Sequence, residues 1–244
     1  MARYACSDLH GRLDLANRVI ARLQPEDHLY FLGDAIDRGP QSFATLVLLL
    51  NHPQVTFLMG NHEDMMVKAM LGERTDEVSI DRYRYFRYEV EQIWFQNGGY
   101  DTAERLADLR ERDPEEFYSM MNRVSNLRFR EVITNALQET VVLCHAGFQP
   151  GHMHPESSRQ LWDREHLRYR WPKENTFAIT VIVHGHTPIQ SVMDYQEEDV
   201  PYYRYAEGHK IDIDLGAFFS GQTCLLNLDT WEGTLIEGDH IYDT

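Results

Sequence analysis

No stretch of this sequence is apolar for long enough to cross a membrane. The longest strongly apolar run, Leu46 to Leu50, falls far short of the roughly 20 residues that a span requires. The start, Met1-Ala2-Arg3-Tyr4-Ala5-Cys6, leads straight into a charged motif and holds no signal-peptide core. Cysteine is scarce. Cys6, Cys144 and Cys224 are an odd number, each in or beside a short apolar stretch. Such thiols suit neither a disulfide framework nor a zinc site, so they are expected to be buried in a protein of the reducing cytoplasm. Basic charge is the third shortage: 23 Lys+Arg stand against 39 Asp+Glu, a net charge of −16. That imbalance argues against partners held by phosphate neutralisation or by anionic lipid, so neither nucleic acid nor membrane is an expected partner. An anionic substrate stays open, because a local site can differ in sign from the whole.

What is present is ordinary for a globular protein: 244 residues, 43% of them hydrophobic. At this length one domain over residues 1–244 is expected, with a core burying roughly 70–75% of the unfolded surface. Strand-length apolar runs alternate with helical patterns at both ends of the chain. Tyr4–Cys6, His28–Leu32 and Val55–Met59 read as strands, separated by helical patterns around Leu13–Leu23 and Phe43–Leu50. Thr140–Cys144, Ala178–Val183, Ile211–Leu215 and Thr223–Leu228 read as strands again. The middle, about 64–131, is helical in style, with Phe86, Val90, Ile93 and Trp94 at i, i+4, i+7 and i+8. Asn97-Gly98-Gly99 and Asp113-Pro114 punctuate it. The rhythm predicts a layered α/β fold interrupted by a mainly helical insertion.

Chemistry gathers just after the strands, where functional loops of α/β sheets lie. In order come Asp8-Leu9-His10-Gly11, Gly33-Asp34-Ala35-Ile36-Asp37-Arg38-Gly39, Gly60-Asn61-His62-Glu63, His145-Ala146-Gly147 and His184-Gly185-His186. Each terminus offers an oxygen or imidazole donor, usually beside a glycine that permits a tight turn. Any one of these segments alone is unremarkable: Asp-x-His-Gly marks turns, and Asn61 could simply cap a helix. Together, mixed Asp, His and Asn donors without thiolates match a site for two borderline divalent ions such as manganese, iron or zinc.

The series resembles the phosphoprotein phosphatase family of calcineurin-like metallophosphoesterases, in its short bacterial and bacteriophage lambda-type branch. The resemblance runs from Asp8 to about Asn227 and includes Asn97-Gly98-Gly99, Leu161-Trp162-Asp163-Arg164-Glu165 and Asp212-Ile213-Asp214-Leu215-Gly216-Ala217. It implies a layered β-sandwich flanked by helices. It further implies that Asp8 and His10 hold a first metal, that Asp34 bridges, and that Asn61, His145 and His186 complete a second. A hydroxide between the ions would attack phosphorus in line. Arg38 and Arg164, with Asn61, would bind the substrate phosphate. His62 would protonate the leaving group, oriented by Asp37, which would also favour its charged form. Ser7 replaces the family's usual glycine. Pro188 stands where related phosphodiesterases often carry a further histidine, which disfavours that reading.

The implied activity is that of a serine/threonine protein phosphatase using two divalent ions, manganese first, with iron or zinc as alternatives. Its substrate would be a phosphorylated protein, peptide or small molecule. The alternative in the same branch is symmetrical dinucleoside tetraphosphate hydrolysis, disfavoured because Asp37 is intact. A catalytically idle metal-binding interaction module is more remote, since no ligand, Arg38 or His62 is lost. The run Arg82-Tyr83-Arg84-Tyr85-Phe86-Arg87-Tyr88 reads as an amphipathic helix, or else as a surface that stacks a base or grips a phosphopeptide. His184 is expected to line the site. His28, His52, His152, His154, His166, His209 and His240 are expected on the surface or in loops.

Overall fold

The computed structural model describes residues 1–71, 89–148, 158–168, 170–171, 178–192 and 201–239. The Arg82–Tyr88 run therefore lies outside the described residues, as do His152, His154 and His240. One sheet holds β1 (Arg3–Cys6), β2 (His28–Phe31), β3 (Val55–Phe57), β9 (Gln222–Asn227) and β10 (Gly233–Glu237). Its order is β10-β9-β1-β2-β3, with β1, β2 and β3 parallel and the other neighbours antiparallel. The second holds β4 (Arg130–Thr134), β5 (Thr140–Cys144), β6 (Val181–His184), β7 (Tyr203–Tyr205) and β8 (Lys210–Asp212), in the order β4-β5-β6-β8-β7. There the β5-β6-β8 core is parallel and both outer pairs are antiparallel.

The period-2 alternation of strands decides how these layers stack. Val141 and Leu143 of β5 join Ala5, Cys224 and Leu226 of the first sheet in one buried cluster, so the two sheets face each other. Val142 and Cys144 point to the opposite side, where Phe148 and Ile182 cover them. On the first sheet Cys6, Phe31 and Phe57 turn away from the sandwich toward helices. These helices are α1 (Leu13–Ile20), α2 (Ser42–Asn51), α3 (Asn61–Leu71), α4 (residues 89–96), α5 (Tyr100–Arg112) and α6 (Pro114–Ser125). A short α7 (Ala217–Ser220) precedes β9. The architecture is thus the expected layered sandwich flanked by helices. All three cysteines are free and buried, and Cys6 and Cys224 belong to opposite faces of their sheet.

Between β3 and β4 the described elements are all helical. Asp113 caps α6 by accepting the Glu116 N–H at 3.0 Å, with Pro114 at the first helical position. The helical segment ends slightly earlier than expected, because Arg130 already enters β4. Strands β4, β7 and β10 were not expected at all. Each is an edge strand; there one flank and often one face meet water, and the apolar signal fades. No helix among the described residues is long and apolar enough to cross a membrane.

Candidate metal centre

Every expected donor lies just past the C-terminal end of a strand, and backbone bonds sew the loops together. Asp8 N–H donates to the Gly33 carbonyl at 3.0 Å, His10 N–H to the Asp34 carbonyl at 3.0 Å, and Gly185 N–H to the His145 carbonyl at 2.7 Å. The turns are tight. Of the eleven non-glycine residues with positive φ among the described residues, six are Asp8, His10, Asp34, Asp37, Arg38 and His186. Left-handed backbone at a non-glycine residue is uncommon, and its clustering marks a functional site.

Two groups of potential ligand atoms result, His10–Asp34–His62 and Asp34–His145–His186, each with its atoms within 4.8 Å of one another. Asp34 belongs to both. Its Oδ2 faces His10 Nε2 at 3.6 Å and its Oδ1 faces His145 Nε2 at 3.5 Å. The second faces of these histidines fix their tautomers. His10 Nδ1 meets the Ile36 carbonyl at 2.8 Å and His145 Nδ1 the Leu32 carbonyl at 2.9 Å, so each Nδ1 carries the proton and each Nε2 turns a lone pair inward. His145 Nε2 also lies 2.8 Å from Asn61 Oδ1. Asp8 is in neither group. Its Oδ2 accepts the His186 N–H at 3.0 Å, while Oδ1 is buried and unpartnered, as is His186 Nε2.

Such a crowd of inward-facing acceptors is unfavourable by itself. Burial lifts Asp34 well above the ordinary carboxylate range, reinforced by the charges of Asp8 and Glu63, and it lifts Asp8 as well. Burial likewise holds His10, His145 and His186 below the ordinary imidazole value. Cations placed among these atoms would satisfy the orphaned acceptors and reverse each of these penalties. The residues present therefore fit a pair of divalent ions.

Beside these donors sits a buried hydrogen-bonded pair. His62 Nδ1 lies 2.6 Å from Asp37 Oδ2, and its Nε2 meets Arg38 Nη2 at 3.2 Å. Arg38 Nη1 reaches His10 Nε2 at 3.0 Å. Burial, the Arg38 charge and His145 hold His62 well below the ordinary imidazole value. Burial and the Arg38 charge thus oppose a proton on His62, while its Nδ1 is held against Asp37. Burial pushes Asp37 itself up to about 7, against the pull of hydrogen bonds from Thr102 and Trp94. Arg38 and Arg164 are exposed above these buried groups, and Arg164 Nε donates to Thr187 Oγ1 at 3.3 Å. Trp162, 38% exposed, sets its ring edge-on to His186 at 6.0 Å between centroids.

Three participants have no counterpart in the sequence reading. Glu63 is buried and accepts the N–H groups of Asp34 and Ala35 at 2.8 Å and of Gly60 at 3.1 Å, so it pins two ligand loops to the first turn of α3. Its place three residues after Gly60 is the capping-box spacing, which was a readable signal. Trp94 and Thr102 reach Asp37 from α4 and α5 and left no such signal. His184 bonds Tyr205 Oη at 2.8 Å and belongs to neither ligand group. His166, expected at the surface, is instead buried: Tyr205 Oη also reaches its Nδ1 at 3.2 Å, and its ring packs on Gly147.

Gly185, just past β6, lies hard against Ser7 and Asp8, just past β1. A Cβ there would stand 2.1 Å from Asp8 Oδ2 and 2.4 Å from Ser7 Oγ. Gly185→Ala is expected to displace Asp8 and lower turnover about a hundredfold, the cost of misplacing a site by roughly 1 Å. Unchanged kinetics would show that Asp8 has room to yield.

A family profile described as calcineurin-like phosphoesterase matches residues 1–219. The chain is 26% identical over 238 residues to a serine/threonine-protein phosphatase 1 of Salmonella typhimurium, spanning 92% of this chain and 91% of that protein. It is 23% identical over 225 residues to an asymmetrical bis(5'-nucleosyl)-tetraphosphatase of Bacillus mycoides, spanning 80% and 72%. Among solved structures, a protein provisionally assigned as a diadenosine tetraphosphatase superposes with a TM-score of 0.60 at 16% identity, over 98% of this chain and 94% of that one. A protein serine/threonine phosphatase from Saccharomyces cerevisiae gives 0.52 at 13% identity, over 100% and 82%. At such identities the structural likeness speaks for the fold alone.

Proposed function

The chain belongs to the calcineurin-like phosphoesterase family and is a phosphoric monoester hydrolase; from that premise we propose that it removes phosphate from serine and threonine side chains of proteins. The observation that carries the reading is the 2.6 Å contact between Asp37 and His62, beside Arg38. An alkoxide is a poor leaving group and needs a proton as the P–O bond breaks, whereas a nucleotide phosphate leaves without one. A built-in proton donor is therefore matched to an alkyl monoester. The relationship to the Salmonella phosphatase, over nearly the whole of both chains, points the same way.

In this reading Asp8, His10, Asp34, Asn61, His145 and His186 hold two divalent cations, manganese first, with iron or zinc as alternatives. When bound, such a pair supplies Lewis-acid activation of water and of the phosphoryl group. The chain's own residues do the rest. Arg38 and Arg164, exposed at the mouth, grip the phosphoryl oxygens with forked guanidinium groups, and Asn61 assists. Once Arg38 turns to the phosphate, it releases His62 Nε2, and the dianion's charge favours a proton there. His62 passes that proton to the leaving oxygen while Asp37 holds Nδ1.

A second reading, hydrolysis of a dinucleoside tetraphosphate, is supported by the exposed Trp162 ring beside His186, on which a base can stack. One experiment separates the two. Metal-stripped protein is expected to regain p-nitrophenyl phosphate hydrolysis on addition of manganese. It should then cleave phosphoserine and phosphothreonine peptides with higher kcat/KM than phosphotyrosine peptides or diadenosine tetraphosphate. A preference for the tetraphosphate would replace the first reading with the second, and no metal-dependent hydrolysis of any of them would remove both.

A further inference from the structure

The carboxylate of Asp37 accepts more bonds than an orienting group needs. Oδ2 takes His62 Nδ1 at 2.6 Å and also the indole N–H of Trp94 at 2.7 Å, while Oδ1 takes the Thr102 hydroxyl at 2.6 Å. All four side chains are at most 1% exposed. The two extra donors come from far along the chain: Trp94 from α4 and Thr102 from the first turn of α5. Fixing both oxygens removes the carboxylate's freedom to turn about its terminal bond, so Oδ2 stays aimed at His62.

The turn joining α4 to α5 is shaped around this arrangement. A Cβ on Gly99 would stand 2.2 Å from Trp94 Nε1, so glycine there leaves the indole N–H its approach. The Gly98 carbonyl accepts the Arg38 N–H at 3.3 Å, and Gly98 holds a φ of +92° that suits glycine. Asn97-Gly98-Gly99, a sequence landmark with no chemistry of its own, thus seats Asp37 and Arg38 together. Neither Trp94 nor Thr102 belongs to a ligand group or to the exposed mouth.

We propose that Trp94 and Thr102 are positioning residues for proton delivery, acting on the leaving group through Asp37 and His62. The inference rests on the reading of His62 as the proton donor. A purely structural role, satisfying a buried carboxylate, would slow every substrate alike. A role in proton delivery slows only substrates whose leaving group needs the proton.

The test compares a phosphoserine peptide with p-nitrophenyl phosphate, whose phenolate leaves unaided, using the manganese-loaded full chain. Thr102→Val, which keeps shape and loses the hydroxyl, is expected to lower kcat on the peptide about tenfold or more, and on p-nitrophenyl phosphate less than about threefold. Trp94→Phe should show the same split, and Thr102→Ser should restore the peptide rate. In an Asp37→Asn background Thr102→Val should cost nothing further, because the residues act as one unit. Equal losses on both substrates, or full additivity with Asp37→Asn, would overturn the proposal. His62→Asn run alongside keeps the two ideas separate. If it discriminates between the substrates and the Thr102 and Trp94 variants do not, the inference fails alone; if it does not discriminate, the proton-donor reading fails first. Should Trp94→Phe misfold, the isosteric Thr102→Val decides.

Discussion

His62→Asn is expected to lower turnover of a phosphoserine peptide by about 10²–10⁴-fold, the usual contribution of a positioned proton donor, while metal content stays at the wild-type level. The two halves of that result come from different atoms. His62 Nδ1 is engaged by Asp37 at 2.6 Å, and its Nε2 lies 3.8 Å from Asp34 Oδ2, farther than the 3.6 Å of His10. An asparagine can still occupy the space but cannot carry a transferable proton. The loss should appear in kcat more than in KM, because the proposed phosphate clamp, Arg38 and Arg164, is left in place. Metal analysis together with peptide kinetics checks both halves. Wild-type turnover would end the assignment of His62 as donor, and a large loss of metal would make it a ligand instead.

Asp34→Asn carries the other large effect, and the hydrogen bonds give it a direction. The His62 N–H donates to Asp34 Oδ1 at 3.0 Å, so the amide must keep its oxygen there and place its NH2 at the Oδ2 position. That position faces His10 and His62. An amide nitrogen does not ligate, so the His10 side should lose its cation while the His145–His186 side keeps one. Metal per chain is expected to fall from about two to about one, and turnover by about 10³-fold, equivalent to several kcal/mol. The metal-free proteins should rank the other way in stability. Asp34 is buried among Asp8, Glu63 and inward-facing acceptors, and removing its charge relieves them, so metal-free Asp34→Asn should melt above metal-free wild type. Two tightly held metals per chain with undiminished turnover would show that Asp34 does not bridge.

The parallel core of both sheets was legible because buried strands read as continuous apolar runs, Thr140–Cys144 down to its end residues. The antiparallel edge strands β4, β7 and β10 were not. The donors that the structure brings together, His10, Asp34, His62, His145 and His186, stood out because each follows a strand beside a glycine. What stayed hidden works through burial across long sequence separations. Trp94 looked like one more apolar residue on a helical face, and only its indole N–H, 57 residues from Asp37, gives it a task. Thr102 is 65 residues away and carries no motif. His166 looked like a loop histidine because its partner Tyr205 lies on β7, a strand too short and mixed to be read.

The six left-handed residues have a consequence for how such a sequence drifts over generations. Each of Asp8, His10, Asp34, Asp37, Arg38 and His186 occupies backbone that glycine would adopt more comfortably, at a cost on the order of 1 kcal/mol or more apiece. Random exchange to glycine at these positions would tend to strengthen the fold while deleting a side chain proposed as ligand, phosphate clamp or proton relay. Stability and activity thus pull these six codons in opposite directions. A lineage selected only to stay folded would lose the centre quickly, and the turns would survive it as a row of glycines.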